Sequence, residues 1–267
     1  MTETSKINLR DNLKDGFVAF LDVMGFSNLV NRGNIRSLES YFEKITEVLD
    51  NLSEEKAKIK SFIISDSIIL IAPHGLQNFI QLLWAVRRIQ SALLLRKILL
   101  RGAISYGQVY YNKDRNLIVG KGYIRAYLLE QEAIYPRVII DPSIIKLLAP
   151  DKTAFLKLVN QRMEYTFEER LVYNQSSFAT ISDDAVFVDY GNKSIQEYKI
   201  NGNLKKVHEM LIENLYSEQK LYTKYVWLRD YFLEIMLLTD HTLQDTTAKS
   251  RAHKKLIKEW ITIFKRL

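Results

Sequence analysis

Hairpin patterns alternate with amphipathic helix patterns along roughly the first 145 residues, and this order limits the folds open to the chain. Short β-branched runs bounded by turn residues predict strands, whereas apolar residues along one stripe predict helices. Since hairpins join antiparallel strands, the order predicts an α+β sandwich, with a mostly antiparallel sheet flanked by helices.

The predicted strands are Phe17 to Val23, Ile98 to Tyr111 interrupted at Gly102 and Gly107, Leu117 to Val119, Arg137 to Ile140, and two within Lys58 to Ala72 that meet at Ser65-Asp66-Ser67. The predicted helices cover Arg36 to Leu52, Leu76 to Lys97, and the segment from Gly120-Lys121-Gly122 to about Ile134, with Asp141-Pro142 capping a further short helix.

The length of 267 residues predicts one domain of catalytic size with an appendage. Residues 150–200 are less regular, with a possible strand pair in Arg162 to Tyr173 and an edge strand in Asp184 to Asp189. Apolar stripes at helical spacing run from about residue 203 to the end. We therefore expect a catalytic domain over residues 1–200 and a helical C-terminal extension over residues 201–267.

The composition excludes several kinds of site. There is no cysteine, which rules out disulfides, zinc thiolate sites and cysteine nucleophiles, and the four histidines form no pair at i, i+4. A bound metal would therefore need carboxylates, which favours Mg²⁺ or Mn²⁺. No apolar run reaches the ~18 residues of a membrane span, and the N-terminus lacks an apolar signal region, so we expect a cytoplasmic protein without a membrane partner.

The net charge of +7 indicates attraction to an anionic partner. Part of this charge lies near the C-terminus, in Lys249, Arg251, Lys254, Lys255 and Lys258. The alternative is that these residues form the solvated face of a helix.

Two acidic residues interrupt apolar strands. Asp22 lies in FVAFLDVMGF and Asp66 lies in SFIISDSIIL. An ionised carboxylate beside a core is costly unless it is paired, hydrogen-bonded or bound to a cation. If the two strands are neighbours, the carboxylates converge and a divalent cation relieves their repulsion. The alternative is that both are ordinary turn residues.

Two further features are compatible with phosphate binding. Arg101 lies in an apolar strand beside Gly102, where its planar guanidinium offers a donor fork; the alternative is a strand-edge arginine in a surface ion pair. Gly120-Lys121-Gly122 opens a helix whose free N–H groups suit a phosphate, although such a loop is more often only a turn.

Four segments in this order resemble the motifs of the class III nucleotidyl cyclases. They are FLDVMGFS (20–27), ISDSIIL (64–70), RGAISYG (101–107) and IVGKGYIRAYLLE (118–130), so the resemblance covers about residues 15–145. It implies a cyclase-like fold in which Asp22 and Asp66, with the backbone carbonyl of Val23, hold two Mn²⁺ or Mg²⁺ ions. It also implies that Arg101 contacts the triphosphate and that the protein is a homodimer with shared sites.

The departures from these motifs concern the base and the transition state. Phe62 and Lys121 stand where purine cyclases carry base-reading residues, and an aromatic ring stacks on a base rather than reading a purine edge. Ile124 and Leu128 stand where the family stabilises the transition state, and neither donates a hydrogen bond, which leaves Arg125 as a substitute candidate.

With the YPRVIID segment (135–141) and the helical C-terminus, this pattern is similar to the bacterial pyrimidine cyclases of Pycsar antiphage systems. The resemblance implies that UTP is converted to 3′,5′-cyclic UMP, or CTP to cyclic CMP, and that the product activates an effector protein. Two other hypotheses stay open: an inactive cyclase-like module that binds nucleotide, and a basic nucleic-acid-binding protein. The second leaves Asp22 and Asp66 unexplained, so we expect no nucleic-acid partner.

Overall fold

The computed structural model describes residues 9–26, 30, 33, 35–54, 59–160, 170–173, 178, 180–181, 183–195, 200–243 and 246–267. The strands are β1 (Lys14–Val23), β2 (Lys60–Ile64), β3 (Ser67–Pro73), β4 (Leu100–Asn112), β5 (Leu117–Val119) and β6 (Val138–Ile140). The helices are α1 (Leu9–Asn12), α2 (Ile35–Glu54), α3 (Leu76–Leu94), α4 (Lys121–Glu132), α5 (Pro142–Leu148), α6 (Lys152–Asn160), α7 (Gly191–Ser194), α8 (Ile200–Asn214), α9 (Gln219–Thr242) and α10 (Ala248–Phe264).

A six-stranded sheet forms the centre of the fold. Its order is β2-β3-β1-β4-β5, and β6 pairs with β4. The β4–β6 pair is parallel and the other named strand pairs are antiparallel. The predicted α+β class, with a mostly antiparallel sheet flanked by helices and further helices at the C-terminus, is confirmed.

Alternation along β1 gives the sheet two buried faces, because successive side chains of a strand point to opposite sides. Phe17, Ala19 and Leu21 pack with α2 and α3 in one core. Val18 and Phe20 belong to a smaller core on the other face, which includes Ala126 of α4. The face covered by α4 is the one that carries the candidate site, because Asp22 continues the series of Val18 and Phe20.

The predicted interruption of the fourth strand by glycine is wrong, since β4 runs without a break from Leu100 to Asn112. The glycines instead allow close backbone contacts. A Cβ on Gly102 would lie 2.4 Å from the carbonyl oxygen of Phe20, and one on Gly107 would lie 3.0 Å from the backbone nitrogen of Gly122. The first contact seats β4 against β1, and the second seats the start of α4 against β4.

The C-terminal helices close over a further core, which they share with Phe187 and Ile139. The buried Asp189 accepts hydrogen bonds from Tyr231 Oη at 2.5 Å and from Asn192 Nδ2 at 2.6 Å. This shared core ties residues 200–264 to the sheet, and the predicted domain boundary at residue 200 stays a prediction.

The predicted edge strand over Asp184 to Asp189 forms only isolated antiparallel bridges, in which Phe187 pairs with Ile139 and Val188 pairs with Val172. Most of the predicted strand pair in Arg162 to Tyr173 lies outside the described residues. Within the part of the chain that the structure describes, no helix has the length and apolar composition needed to cross a bilayer.

Two glycine substitutions separate close packing from helix propensity. Gly102→Ala should lower the free energy of unfolding by roughly 1–3 kcal/mol, because the new methyl group overlaps the Phe20 carbonyl. Gly202→Ala in α8 should raise it by up to about 1 kcal/mol, because nothing lies within 4 Å and alanine favours the helix. Urea denaturation of both variants checks this, and equal effects of the two would contradict the packing argument.

Candidate functional site

The candidate site lies at the C-terminal end of β1, just after the strand's run of buried residues. In the sheet register, Asp22 stands opposite Ser67 of β3 on one side and opposite Arg101 of β4 on the other. The Asp22 side chain keeps about a fifth of its surface exposed, unlike the buried residues before it. The pairing of three strands therefore places an aspartate and an arginine in one row at the sheet's end.

Asp66 reaches the same place from the β2–β3 hairpin. The tight turn puts Ser65 in the left-handed backbone region, with φ of 56°. The backbone carbonyl of Asp66 accepts hydrogen bonds from the Val23 N–H and the Tyr41 hydroxyl, both at 3.3 Å. These contacts tie the hairpin tip to the end of β1 and to α2, so the two aspartates converge.

The convergence has an electrostatic signature. Burial raises the pKa of the Asp22 carboxyl, and the negative charge of Asp66 raises it further, while Arg101 acts in the opposite direction. Burial and the same two carboxylates also raise the pKa of Tyr41. The protein thus holds two carboxylates close together at a cost that a bound cation would offset.

A third acidic side chain joins this group, one to which the sequence analysis assigned no role. Glu130 of α4 places its Oε1 2.5 Å from Arg101 Nε, whereas Asp22 Oδ2 lies 3.5 Å from the same nitrogen. Burial raises the pKa of Glu130, and Arg101 works against that effect. The signal available in the sequence is the place of Glu130 as the last residue of IVGKGYIRAYLLE (118–130), the segment that resembles the helix motif of the cyclases.

The oxygen donors at this place fit a divalent cation. Two carboxylates with a nearby backbone carbonyl are the hard ligands that Mg²⁺ and Mn²⁺ prefer, and such ions usually complete their shell with water and phosphate oxygens. The described residues contain no cluster of three or more His, Asp or Glu side chains arranged as metal ligands.

Two of the predicted substrate-binding residues, Lys121 and Arg125, lie apart from the carboxylates. Lys121 and Arg125, with Ile124 and Leu128, line a cleft of about 860 Å³ beside α4. Its described lining includes none of Asp22, Asp66 and Arg101. One chain therefore carries two separate candidate regions, the row at the end of β1 and the α4 cleft.

Arg125 is engaged by a second acidic residue. Its Nη2 donates to Asp141 Oδ1 at 2.8 Å, and its Nε contacts the other carboxylate oxygen. Asp141 is fully buried and caps α5 by accepting from the Ser143 N–H at 2.9 Å, as the Asp-Pro pattern predicts. Burial acts to raise the pKa of Asp141, but the hydrogen bonds from Arg125 and Ser143 outweigh it and hold the pKa below its usual value.

Phe62 lies in the small core on the face that α4 covers. It stands opposite Ile69 in the β2–β3 register, and its ring meets Tyr111 edge-on at 6.1 Å between centroids. Only 6% of its surface is exposed. Ile64 of β2 lies in the same row of paired residues as Ser67 and Asp22. Phe62 precedes Ile64 by two residues, so it lies on the same face of the sheet as Asp22.

No family model matches the chain, and no curated protein matches it. Among solved structures, the guanylyl cyclase Cya2 is similar at 14% identity and a TM-score of 0.44, over 67% of this chain and 92% of that one. The adenylyl cyclase CyaB from P. aeruginosa is similar at 14% identity and a TM-score of 0.42, over 66% and 92%. A class III adenylyl cyclase-like ATP-binding protein from Pseudomonas aeruginosa gives 9% and 0.40, over 97% and 75%.

Neutralising Asp22 should stabilise the protein in the absence of added metal. A carboxyl whose pKa is raised by folding destabilises the folded state at neutral pH, and Asp22→Asn removes that charge while keeping an acceptor for Arg101. We expect the Tm to rise by up to about 4 °C, since 1 kcal/mol moves it by roughly 2–4 °C in a protein of this size. Calorimetry with a chelator present checks this.

The matched control is Asp114→Asn in the exposed turn after β4, which should leave the Tm within about 2 °C of the wild type. A clear fall in the Tm of Asp22→Asn would contradict the repulsion argument.

Proposed function

We propose that this protein is a metal-dependent nucleotide cyclase, which converts a nucleoside triphosphate into a 3′,5′-cyclic nucleotide and pyrophosphate. The observation that carries the proposal is the convergence of Asp22 and Asp66 beside Arg101 at the end of β1. Two repelling carboxylates with an adjacent guanidinium suit a triphosphate and its cations.

In the proposed reaction the ribose 3′-oxygen gives its proton to solvent water and bonds to the α-phosphorus, while the bond from that phosphorus to the oxygen bridging the β-phosphate breaks and pyrophosphate leaves. Asp22 and Asp66, with the Val23 carbonyl, would hold two Mn²⁺ or Mg²⁺ ions. Such ions lower the pKa of a hydroxyl and neutralise phosphate charge. Arg101 would donate to the departing pyrophosphate and stabilise the charge that develops there.

The substrate we propose is a pyrimidine triphosphate. Phe62 and Lys121 occupy the positions where the motifs of purine cyclases carry base-reading side chains, and Phe62 offers an apolar ring in place of a donor or acceptor. UTP, giving cyclic UMP, is our first choice, and CTP, giving cyclic CMP, is the alternative. The cyclic product would serve in antiphage defence by activating an effector protein.

We also propose that the active form is a homodimer. Exposed apolar side chains of α4 (Ile124, Tyr127 and Leu128) adjoin or line the α4 cleft, which lies apart from the carboxylates of the same chain. Two-fold pairing would bring the cleft of one copy to the carboxylates of the other, and two-fold dimers are the commonest symmetric assembly. Each dimer would then contain two equivalent sites.

A second candidate is a regulator that binds nucleotide without turning it over. Ile124 and Leu128 have no polar group to stabilise a transition state, and Arg125, the substitute, is held by Asp141. This candidate shares the cation and triphosphate contacts, so it differs from the first only in product formation.

Incubation with Mn²⁺ and each nucleoside triphosphate separately, followed by mass analysis of the products, tests the proposal. We expect a cyclic pyrimidine nucleotide from the wild type. Asp22→Ala and Asp66→Ala should each lower the rate at least about a hundredfold, because a lost cation ligand removes several kcal/mol of transition-state stabilisation. Asp114→Ala is the control of equal charge change.

Two results would count against the proposal. Near-normal turnover in either variant would remove that aspartate from the reaction. Nucleotide binding with no cyclic product from any of the four triphosphates would favour the regulator.

Base selectivity tests the place of Phe62. Phe62→Lys should lower the ratio of kcat/KM for UTP to that for ATP, because the ring gives way to a donor that can read a purine edge. Since Phe62 is buried, Phe62→Leu serves as the variant that keeps an apolar core and loses only the ring. Ile63→Lys is the control, because Ile63 is the neighbouring exposed residue on the opposite face of β2. Unchanged ratios in both Phe62 variants would remove Phe62 from the base pocket.

A further inference from the structure

Glu130 is the acidic residue closest to Arg101, although the proposed mechanism gives it no part. Its side chain is 5% exposed, compared with 21% for that of Asp22. Its Oε1 lies 2.5 Å from Arg101 Nε, which is a full ångström closer than Asp22 Oδ2. The ion pair on the helix side is therefore the shorter of the two, while Arg101 Nη2 also donates a hydrogen bond to Asp22 Oδ2 at 3.5 Å on the strand side.

The fold delivers Glu130 to this place through the contact between α4 and β4. Ser105 Oγ donates to the carbonyl of Gly122 at 2.6 Å, and the Gly107–Gly122 contact fixes the start of the helix. From Gly122 to Glu130 the helix advances by about 12 Å, and from Ser105 back to Arg101 the strand covers about 13 Å. Because these lengths match, Glu130 lies level with Arg101.

The charge balance explains why this ion pair matters. Arg101 pairs with the carboxylates of Glu130 and Asp22, and Asp66 lies close enough to raise the pKa of both. A buried carboxylate is strongly destabilising without a partner. Of the two acidic residues that Arg101 contacts, Glu130 is the more buried, so it depends more on the guanidinium. Without the Glu130 contact, the guanidinium would keep only its present contact with Asp22, where it competes with a cation for the same oxygens.

We propose that Glu130 is a positioning residue, which holds Arg101 on the α4 side of the site and so leaves Asp22 available to a divalent cation. This inference rests on the proposed function, in that it takes Asp22 and Asp66 as the cation ligands. It adds a residue that touches neither the cation nor the reacting atoms, and that acts through Arg101.

The test measures Mn²⁺ affinity of the full chain by titration calorimetry without nucleotide. Glu130→Gln should weaken Mn²⁺ binding by about tenfold or more, since tenfold corresponds to 1.4 kcal/mol, within the range of coupling between contacting charged residues. Glu259→Gln, the same change at an exposed position of α10, should alter the affinity by less than about twofold.

A second pair of variants separates positioning from plain loss of negative charge. Arg101→Met removes the competing cation, so in that background Glu130→Gln should weaken Mn²⁺ binding by less than about threefold, the loss expected from charge alone. Glu130→Asp keeps the charge but shortens the side chain, so it should behave like Glu130→Gln if reach to Arg101 matters. Circular dichroism confirms that each variant is folded.

The outcomes distinguish this inference from the function on which it rests. Equal losses from Glu130→Gln in both backgrounds, or wild-type affinity in Glu130→Asp, would overturn the positioning role while the cation site stands. A wild-type protein that binds no Mn²⁺, or an Asp22→Ala variant that binds it unchanged, would overturn the cation site and the inference together.

Discussion

Strand β1 hydrogen-bonds along both edges, to β3 on one side and to β4 on the other, and the site depends on this double pairing. A shift of one residue in either register would turn the side chains to the opposite face of the sheet. The observed registers place Asp22 between Ser67 and Arg101 and bring the hairpin tip with Asp66 alongside. The same hydrogen bonds that complete the sheet therefore assemble the charged row.

Local patterns predicted much of this sheet. The β2–β3 hairpin and its polar turn follow from β-branched residues around Ser65-Asp66, and the buried run of β1 follows from its continuous apolar sequence. The approach of Asp22 to Asp66 could be anticipated on the condition that their strands are neighbours, because a carboxylate inside an apolar strand is costly without a partner or a cation. These features depend on residues close in sequence or on the energetic cost of burying charge.

Other features depend on contacts between distant segments, which a single sequence does not encode locally. The glycines of β4 read as interruptions, yet Gly102 and Gly107 serve the close approach of β1 and α4. Arg125 is the substitute candidate for stabilising the transition state, and its pairing with the buried Asp141 has no local signal in the sequence. Glu130 closes a segment that resembles a cyclase helix motif, but its contact with Arg101 arises only when α4 lies along β4.

The electrostatics of the row bear on stability and function in opposite directions. Burial and mutual repulsion raise the pKa of Asp22, which means that the ionised site is costly to the folded chain without a cation. One guanidinium offsets part of that cost, and it divides its contacts between Glu130 on α4 and Asp22 on β1. The pKa of Asp22 stays raised in spite of Arg101, so repulsion between Asp22 and Asp66 persists in the folded chain. If the two aspartates hold a cation, as we propose, relief of this repulsion is the part of the binding energy that the fold itself supplies.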